Sequence, residues 1–166
     1  MAAGGSDGPA SSAARLRPAR EGDGRTLFAW VNNPDSLAAK LRTRTAIAWE
    51  DHRRWLAARL ADPDTGLWIA EVGGEPAGQV RLQAGAGGME VDVYVAPSHR
   101  GRGLGLTLLG HAADEARRRW PGRPLLARVK PDNRASRRLF ERAGYELSAT
   151  APDHLVYAYA ASPGDA

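Results

Sequence analysis

The stretch that decides the fold is Glu90-Val91-Asp92-Val93-Tyr94-Val95, continued after Ala-Pro-Ser-His by Arg100-Gly101-Arg102-Gly103-Leu104-Gly105-Leu106. Its first six residues alternate polar and apolar with period two, the pattern of a strand with two unlike faces. Pro97 ends that strand. From Gly103 to Arg118 the spacing becomes helical, with Leu104, Leu108, Leu109 and Ala112 on one side. Between strand and helix, Arg100 to Gly105 holds three glycines and two arginines in six residues. Glycine lets a backbone approach an anion closely, and a helix start offers unpaired N–H groups and a positive dipole end. The order is G-x-G-x-G and then Leu106, so the third glycine of the dinucleotide fingerprint is missing. No Gly-Lys-Ser/Thr comes after it, so this is not a nucleoside-triphosphate loop either.

Working outward, Leu67–Val72 and Ala77–Leu82 read as strands around the hairpin signal Gly73-Gly74-Glu75. A helix runs from about Trp49 to Ala61, with Trp55, Leu56 and Leu60 at helical spacing, until Asp62-Pro63-Asp64 ends it. Thr26–Val31 is a helix that stops at Asn32-Asn33-Pro34, and Leu16-Arg17-Pro18 is an opening strand. Downstream come a strand at Leu125–Val129, a helix at Arg134–Arg142, and closing strands at Gly144–Ser148 and Leu155–Tyr159. Strands followed by helices imply a mixed α/β sheet. Residues 1–13 and 162–166 are Gly-, Ala- and Ser-rich and read as a disordered tail and a flexible end, which leaves one domain over 14–161.

Composition narrows the function. At 166 residues and 17.7 kDa the chain suits one ordinary core. Its lack of cysteine excludes disulfides, thiolate metal sites and cysteine nucleophiles. No apolar run approaches the roughly 20 residues of a membrane span, and MAAGGSDGPASSAA is no secretory signal. A cytoplasmic enzyme or binding module is the expectation. The net charge of +4 and pI near 9.9 point to a polyanionic ligand. Residues 97–142 hold twelve Arg and Lys against four Asp and Glu, so the positive charge gathers in the glycine-rich turn and the segments downstream of it. The aromatics and lysines that would interleave along a nucleic-acid stripe are absent.

Arg100, Gly103 and Gly105 resemble the pyrophosphate-binding signature Gln/Arg-x-x-Gly-x-Gly/Ala of the GNAT superfamily of N-acetyltransferases. Asn133-Arg-Ala-Ser136-Arg-Arg-Leu-Phe140-Glu-Arg-Ala-Gly144-Tyr145 resembles that superfamily's second coenzyme segment. Arg17-Pro18-Ala19 and Leu27–Pro34 resemble the branch of ribosomal-protein and amino-sugar-nucleotide (pseudaminic-acid pathway type) acetyltransferases. The resemblance implies a GNAT fold of the α/β (α+β) class, a mixed and mostly antiparallel sheet of six to seven strands flanked by about four helices. It also implies acetyl-CoA as co-substrate; no metal is expected, because the chain has no His-Glu-x-x-His. The partner would be a small-molecule amine, with neither nucleic acid nor membrane involved, and the protein a monomer or homodimer.

Acetyl transfer needs a held thioester, a neutral amine and a stabilised oxyanion. By resemblance, the backbone of Val93 and Val95 pairs with the pantetheine arm, and the turn from Arg100 through Gly101, Arg102, Gly103, Leu104 and Gly105 to Leu106 holds the pyrophosphate. Asn133 bonds the pantetheine or caps its own helix, and Ser136 touches the coenzyme. Glu90 and Asp92, two apart on one strand, emerge on the same face and form a pair for amine positioning or base work. Seven residues after Asn133, where many members carry a tyrosine that protonates the departing thiolate, this chain has Phe140 on the coenzyme side. Water, Tyr94 or Tyr145 then takes that role. For the acceptor, the resemblance points to Trp30, Asn32, His52 and Arg81, with Arg42 and Arg44 joining Arg81 on nucleotide phosphates. Trp30, Trp55 and Trp68 also lie on apolar faces and are expected to pack in the core. His99, His111 and His154 have no metal-ligand spacing. Acetylation of protein N-termini and a non-catalytic acetyl-CoA-binding module are the alternatives.

Overall fold

The computed structural model of the chain describes residues 13–41 and 45–160. Arg42, Arg44 and nearly all of the two expected flexible ends lie outside the described residues. One seven-stranded sheet organises the rest, with strands β1 (Arg15–Pro18), β2 (Thr65–Val72), β3 (Glu75–Ala84), β4 (Met89–Val95), β5 (Leu125–Val129), β6 (Glu146–Thr150) and β7 (Leu155–Tyr159). Their spatial order is β1-β2-β3-β4-β5-β7-β6, and every neighbouring pair is antiparallel except β4–β5. Five α-helices cover it: α1 (Gly24–Val31), α2 (Pro34–Ala39), α3 (Trp49–Ala61), α4 (Leu104–Arg119) and α5 (Arg134–Arg142).

Strand alternation sorts side chains to two cores. Trp68 and Ala70 of β2, Val80 and Leu82 of β3, and Met89 and Val91 of β4 pack with Leu108, Leu109 and Ala112 of α4. On the opposite face, Leu67 and Ile69 meet Leu27 of α1 and Leu56 of α3. The β2–β3 hairpin turns on Gly73 and Gly74, at φ 60° and 82°, which a two-residue turn between twisted strands requires.

One element was not foreseen. Pro34 does end α1, which closes at Val31, but it also opens α2. Proline's missing N–H costs nothing at a first helical position, and Asn33 caps the new helix by accepting from the Asp35 N–H at 3.0 Å.

The N-terminal edge is held by charge. Arg17 on β1 clasps Asp23 with two bonds of 2.8 Å and also bonds Glu71 of β2. Asp23 is only 6% exposed and accepts a further bond from the Arg20 N–H. Burial alone would raise its pKa, but the Arg17 bonds and the Arg20 N–H outweigh that and hold it below the usual carboxylate range. A depressed folded pKa contributes stability above the unfolded value of about 3.9, and that stability is lost as pH falls through the folded value. Asp23→Asn leaves a half-buried guanidinium without one of its two carboxylates and is expected to cost about 3 kcal/mol in urea unfolding at neutral pH. Its stability should then fall less steeply than that of the parent below about pH 4; parallel acid curves would contradict this account.

Candidate active site

Strand β4 positions the site because it leaves its neighbour early. It pairs with β3 along its whole length, from Ala84↔Met89 to Gly78↔Val95, but with β5 only at Met89↔Leu125 and Glu90↔Leu126. Beyond Glu90 the two parallel strands part and a groove opens. The Met89 N–H donates to Pro124 O on the β5 side, and the Ala96 N–H to Ala77 O on the β3 side, both at 2.8 Å. Backbone groups alternate along a strand, so those of Val93 and Val95 point into the groove. The Val95 carbonyl accepts from Arg100 Nε at 2.9 Å, as that direction requires.

The groove runs to the glycine-rich turn. Gly101 and Gly103 have φ of 75° and 81°, the left-handed region open to glycine, and Gly103 is the N-cap of α4. The first turn of α4 holds no acidic residue, so its free N–H groups face the groove unopposed. Gly105 serves packing as well: a Cβ there would come within 2.9 Å of Leu139 on α5. Asn133 caps α5, its Oδ1 accepting the Ser136 N–H at 3.1 Å. These residues line a continuous cavity of about 1170 Å³ that extends under α1, α2 and α3. Its volume exceeds the range usual for one small ligand, about 300–1,000 Å³, and suits two placed side by side.

Even-numbered side chains of β4 form the floor of the second half. The register sets Gln79, Arg81 and Gln83 of β3 opposite Tyr94, Asp92 and Glu90, all facing the α1–α3 side. Asp92 accepts from Gln79 Nε2 at 2.8 Å, and Glu90 pairs with Arg128 of β5 at 3.2 Å. The Tyr94 ring lies 5.4 Å from that of Trp30, with Arg100 above it, and its hydroxyl is buried without a bonding partner. His52, 3% exposed, stacks on Trp55 at 5.6 Å. Burial pushes its pKa down against a bond to the Gly24 backbone, and the Lys40 charge adds to the fall, so the ring is neutral. Over the mouth lies α2, tied to the glycine-rich turn by Asp35–Arg100 at 2.9 Å and to the loop after β5 by Lys130 Nζ on the Ala38 carbonyl.

Most residues singled out from sequence therefore meet around one cavity: Trp30, His52, Arg81, Glu90, Asp92 and Val93 to Val95, the turn from Arg100 to Leu106 without Arg102, and Asn133 and Ser136. Three do not. Phe140 is 4% exposed and packs edge-on against Tyr145 at 5.0 Å, so it belongs to the core and does not line the cavity. Asn32 spends its amide on Ile47, donating to that carbonyl at 3.1 Å and accepting its N–H at 2.7 Å, and so ties the end of α1 to the loop before α3. Arg102 points its side chain to solvent at the rim, and only its backbone belongs to the turn. Tyr145 is buried in the core, where burial first and Tyr159 second raise its pKa. Trp55 and Trp30 are half-buried and wall the cavity, whereas Trp68 is a core residue. Gln79, Lys40 and Arg128 line the cavity without having been singled out. For Gln79 and Arg128 the available signal was period-two alternation, which puts them on the Asp92 face; Lys40 gave none. No three His, Asp or Glu side chains converge as a metal site among the described residues.

Residues 26–145 of the chain match the acetyltransferase (GNAT) family model. An L-methionine sulfoximine/L-methionine sulfone acetyltransferase of Salmonella typhimurium is 41% identical over 64 residues, which are 39% of this chain and 37% of that protein. The match thus spans less than two-fifths of that relative's length. Among solved structures, a ribosomal-protein-alanine N-acetyltransferase of Brucella melitensis superposes with a TM-score of 0.76 at 27% identity, covering 88% of this chain and 99% of that one. A putative acetyltransferase of Salmonella typhimurium, solved with its cofactor acetyl-CoA, has the same fold, with a TM-score of 0.76 at 22% identity over 92% of this chain and 96% of the other. A family match across most of the chain, on a fold whose parted strands lead to a glycine turn, establishes that this protein belongs to the acetyltransferase (GNAT) family.

Proposed function

We propose that the protein transfers acetyl from acetyl-CoA to the primary amine of a small molecule, by direct attack while both are bound. The observation that carries this reading is the parting of β4 from β5, which joins a backbone-lined groove to a carboxylate-floored pocket through one strand. Val93 and Val95 offer N–H groups to an extended amide-bearing arm, and one of them polarises the acetyl carbonyl. The turn from Gly101 to Leu106 takes the pyrophosphate on its N–H groups.

An incoming ammonium must lose a proton before it can attack. Glu90 and Asp92 receive it, directly or through water, while Arg128 and Gln79 keep the carboxylates aimed. As the C–N bond forms and the C–S bond breaks, the nitrogen sheds its second proton, which returns through water to the group that protonates the departing thiolate. Tyr94 is the tyrosine that lines the cavity, and its free hydroxyl makes it the donor in this reading. His52, neutral and walled by Trp55, shapes the acceptor end.

The finer reading is an amino group on a nucleotide-linked sugar, supported by Arg81 on the pocket floor, where phosphates would lie. Acetylation of protein N-termini is the second reading, favoured by likeness to the ribosomal-protein-alanine enzyme. Labelled acetyl-CoA offered with amino-sugar nucleotides and with N-terminal peptides separates them, and turnover of peptides alone would remove the sugar reading.

Two measurements test the site itself. Gly103→Val forces a branched side chain into a left-handed position and should weaken acetyl-CoA binding by calorimetry at least about tenfold, with the helical circular dichroism retained. Glu90→Gln and Asp92→Asn should keep coenzyme affinity, and at least one should lose about a hundredfold in kcat; two fully active variants would remove the base assignment.

A further inference from the structure

Two cations in the acceptor half of the cavity lack the partner that their neighbours have. Arg128 is paired with Glu90, and Arg100 with Asp35. Arg138 and Arg142, at the coenzyme end, are exposed to solvent. Arg81 and Lys40 are half-buried, line the cavity, and have neither hydrogen bond nor salt bridge from their side chains among the described residues.

The reason lies in the register. Arg81 is set directly opposite Asp92, where an ion pair would ordinarily form. Instead Asp92 turns to Gln79, and the guanidinium of Arg81 lies over the Trp55 ring, 5.0 Å from its centre. Lys40 reaches toward the same place from the end of α2, close enough to be attracted by Asp92 and repelled by Arg81. Burial leads in lowering its pKa, with Arg81 adding to the effect and Asp92 opposing it. Two half-buried like charges lining one cavity without a counter-ion are costly, and an anion held by both removes the cost. Arginine's planar fork holds a carboxylate or phosphate by two parallel bonds, and the Trp55 face fixes the plane of that fork.

We propose that Arg81 and Lys40 form an oxyanion subsite in the acceptor pocket, so that the preferred amine also carries a carboxylate or phosphate group. This rests on the acetyltransferase reading. The amine end is drawn to Asp92 and Glu90 and the anionic end to Arg81 and Lys40, so the pocket complements a compact zwitterion or a phosphorylated amine.

The full chain is assayed for thiol release from acetyl-CoA with propylamine, β-alanine and aminoethylphosphonate, which share a primary amine and differ at the far end. At least one anionic amine should have a KM about tenfold or more below that of propylamine, and the better of the two tells carboxylate from phosphate. Arg81→Gln and Lys40→Gln should raise that KM more than they lower kcat and narrow the gap to propylamine, with Arg81→Lys restoring part of it. Propylamine used as well as both anionic amines, or a gap unchanged in both variants, overturns the subsite. A second measurement does not need turnover. Inorganic phosphate titrated into the protein should give a saturable change in tryptophan fluorescence, about tenfold weaker in affinity in Arg81→Gln. Equal titrations overturn the proposal. If none of the three amines releases thiol, the phosphate titration alone judges the subsite, and the acetyltransferase reading is judged separately by acetyl-CoA binding and by the sugar-nucleotide and peptide assays.

Discussion

Everything about this molecule's site depends on a pairing that stops. Parallel strands β4 and β5 share two register positions and then separate, leaving backbone groups of Val93 and Val95 without a strand to bond. Unpaired N–H and C=O groups inside a sheet are costly, so the gap persists because everything around it is fixed. Full pairing to β3 holds β4 on one side, and the α4 core holds it from below. Gly105 lets α5 approach α4 closely enough for Asn133 and the glycine turn to edge one groove.

The same organisation explains how the chain distributes charge. Arginines dominate the segment after β4, yet most of them are engaged within the fold. Arg117 and Arg118 are paired with Asp114 and Glu115 along α4, and Arg137 bonds the Tyr157 hydroxyl and the Pro131 carbonyl. Arg119 bonds the Thr65 carbonyl at the start of β2, and Arg123 holds the carbonyls of Gly85 and Gly88 in the loop before β4. A basic composition thus translates into local scaffolding as much as into an anion-binding field, and exposed pairs of this kind contribute little stability each.

Much of the architecture was legible because it is written in spacing. Period-two alternation in Glu90–Val95 gave both the strand and the shared face of Glu90 and Asp92, and the glycine triplet gave the turn. What spacing cannot carry is tertiary choice. Phe140 sits at a position that suggested the coenzyme, but α5 rotates it into the core against Tyr145. Asn32 has the chemistry of a ligand-binding amide, and the loop before α3 claims it first. Helix α2 was hidden because Pro34 is both a stop and a start. Lys40 was silent because its place depends on where that unforeseen helix ends.

The division of β4 into odd and even positions has a consequence for how such an enzyme changes over time. On the proposed function, one ligand is read by main-chain atoms, which every amino acid supplies, and the other by side chains, which a single codon can replace. Substitutions at Gln79, Arg81 or Asp92 can redraw the acceptor floor while the main chain of Val93 and Val95 stays where it is. On that same function, a lineage built on this strand can explore new amines without relearning how to hold the donor, because the two specificities are encoded in alternate residues, one set by its main chain and the other by its side chains.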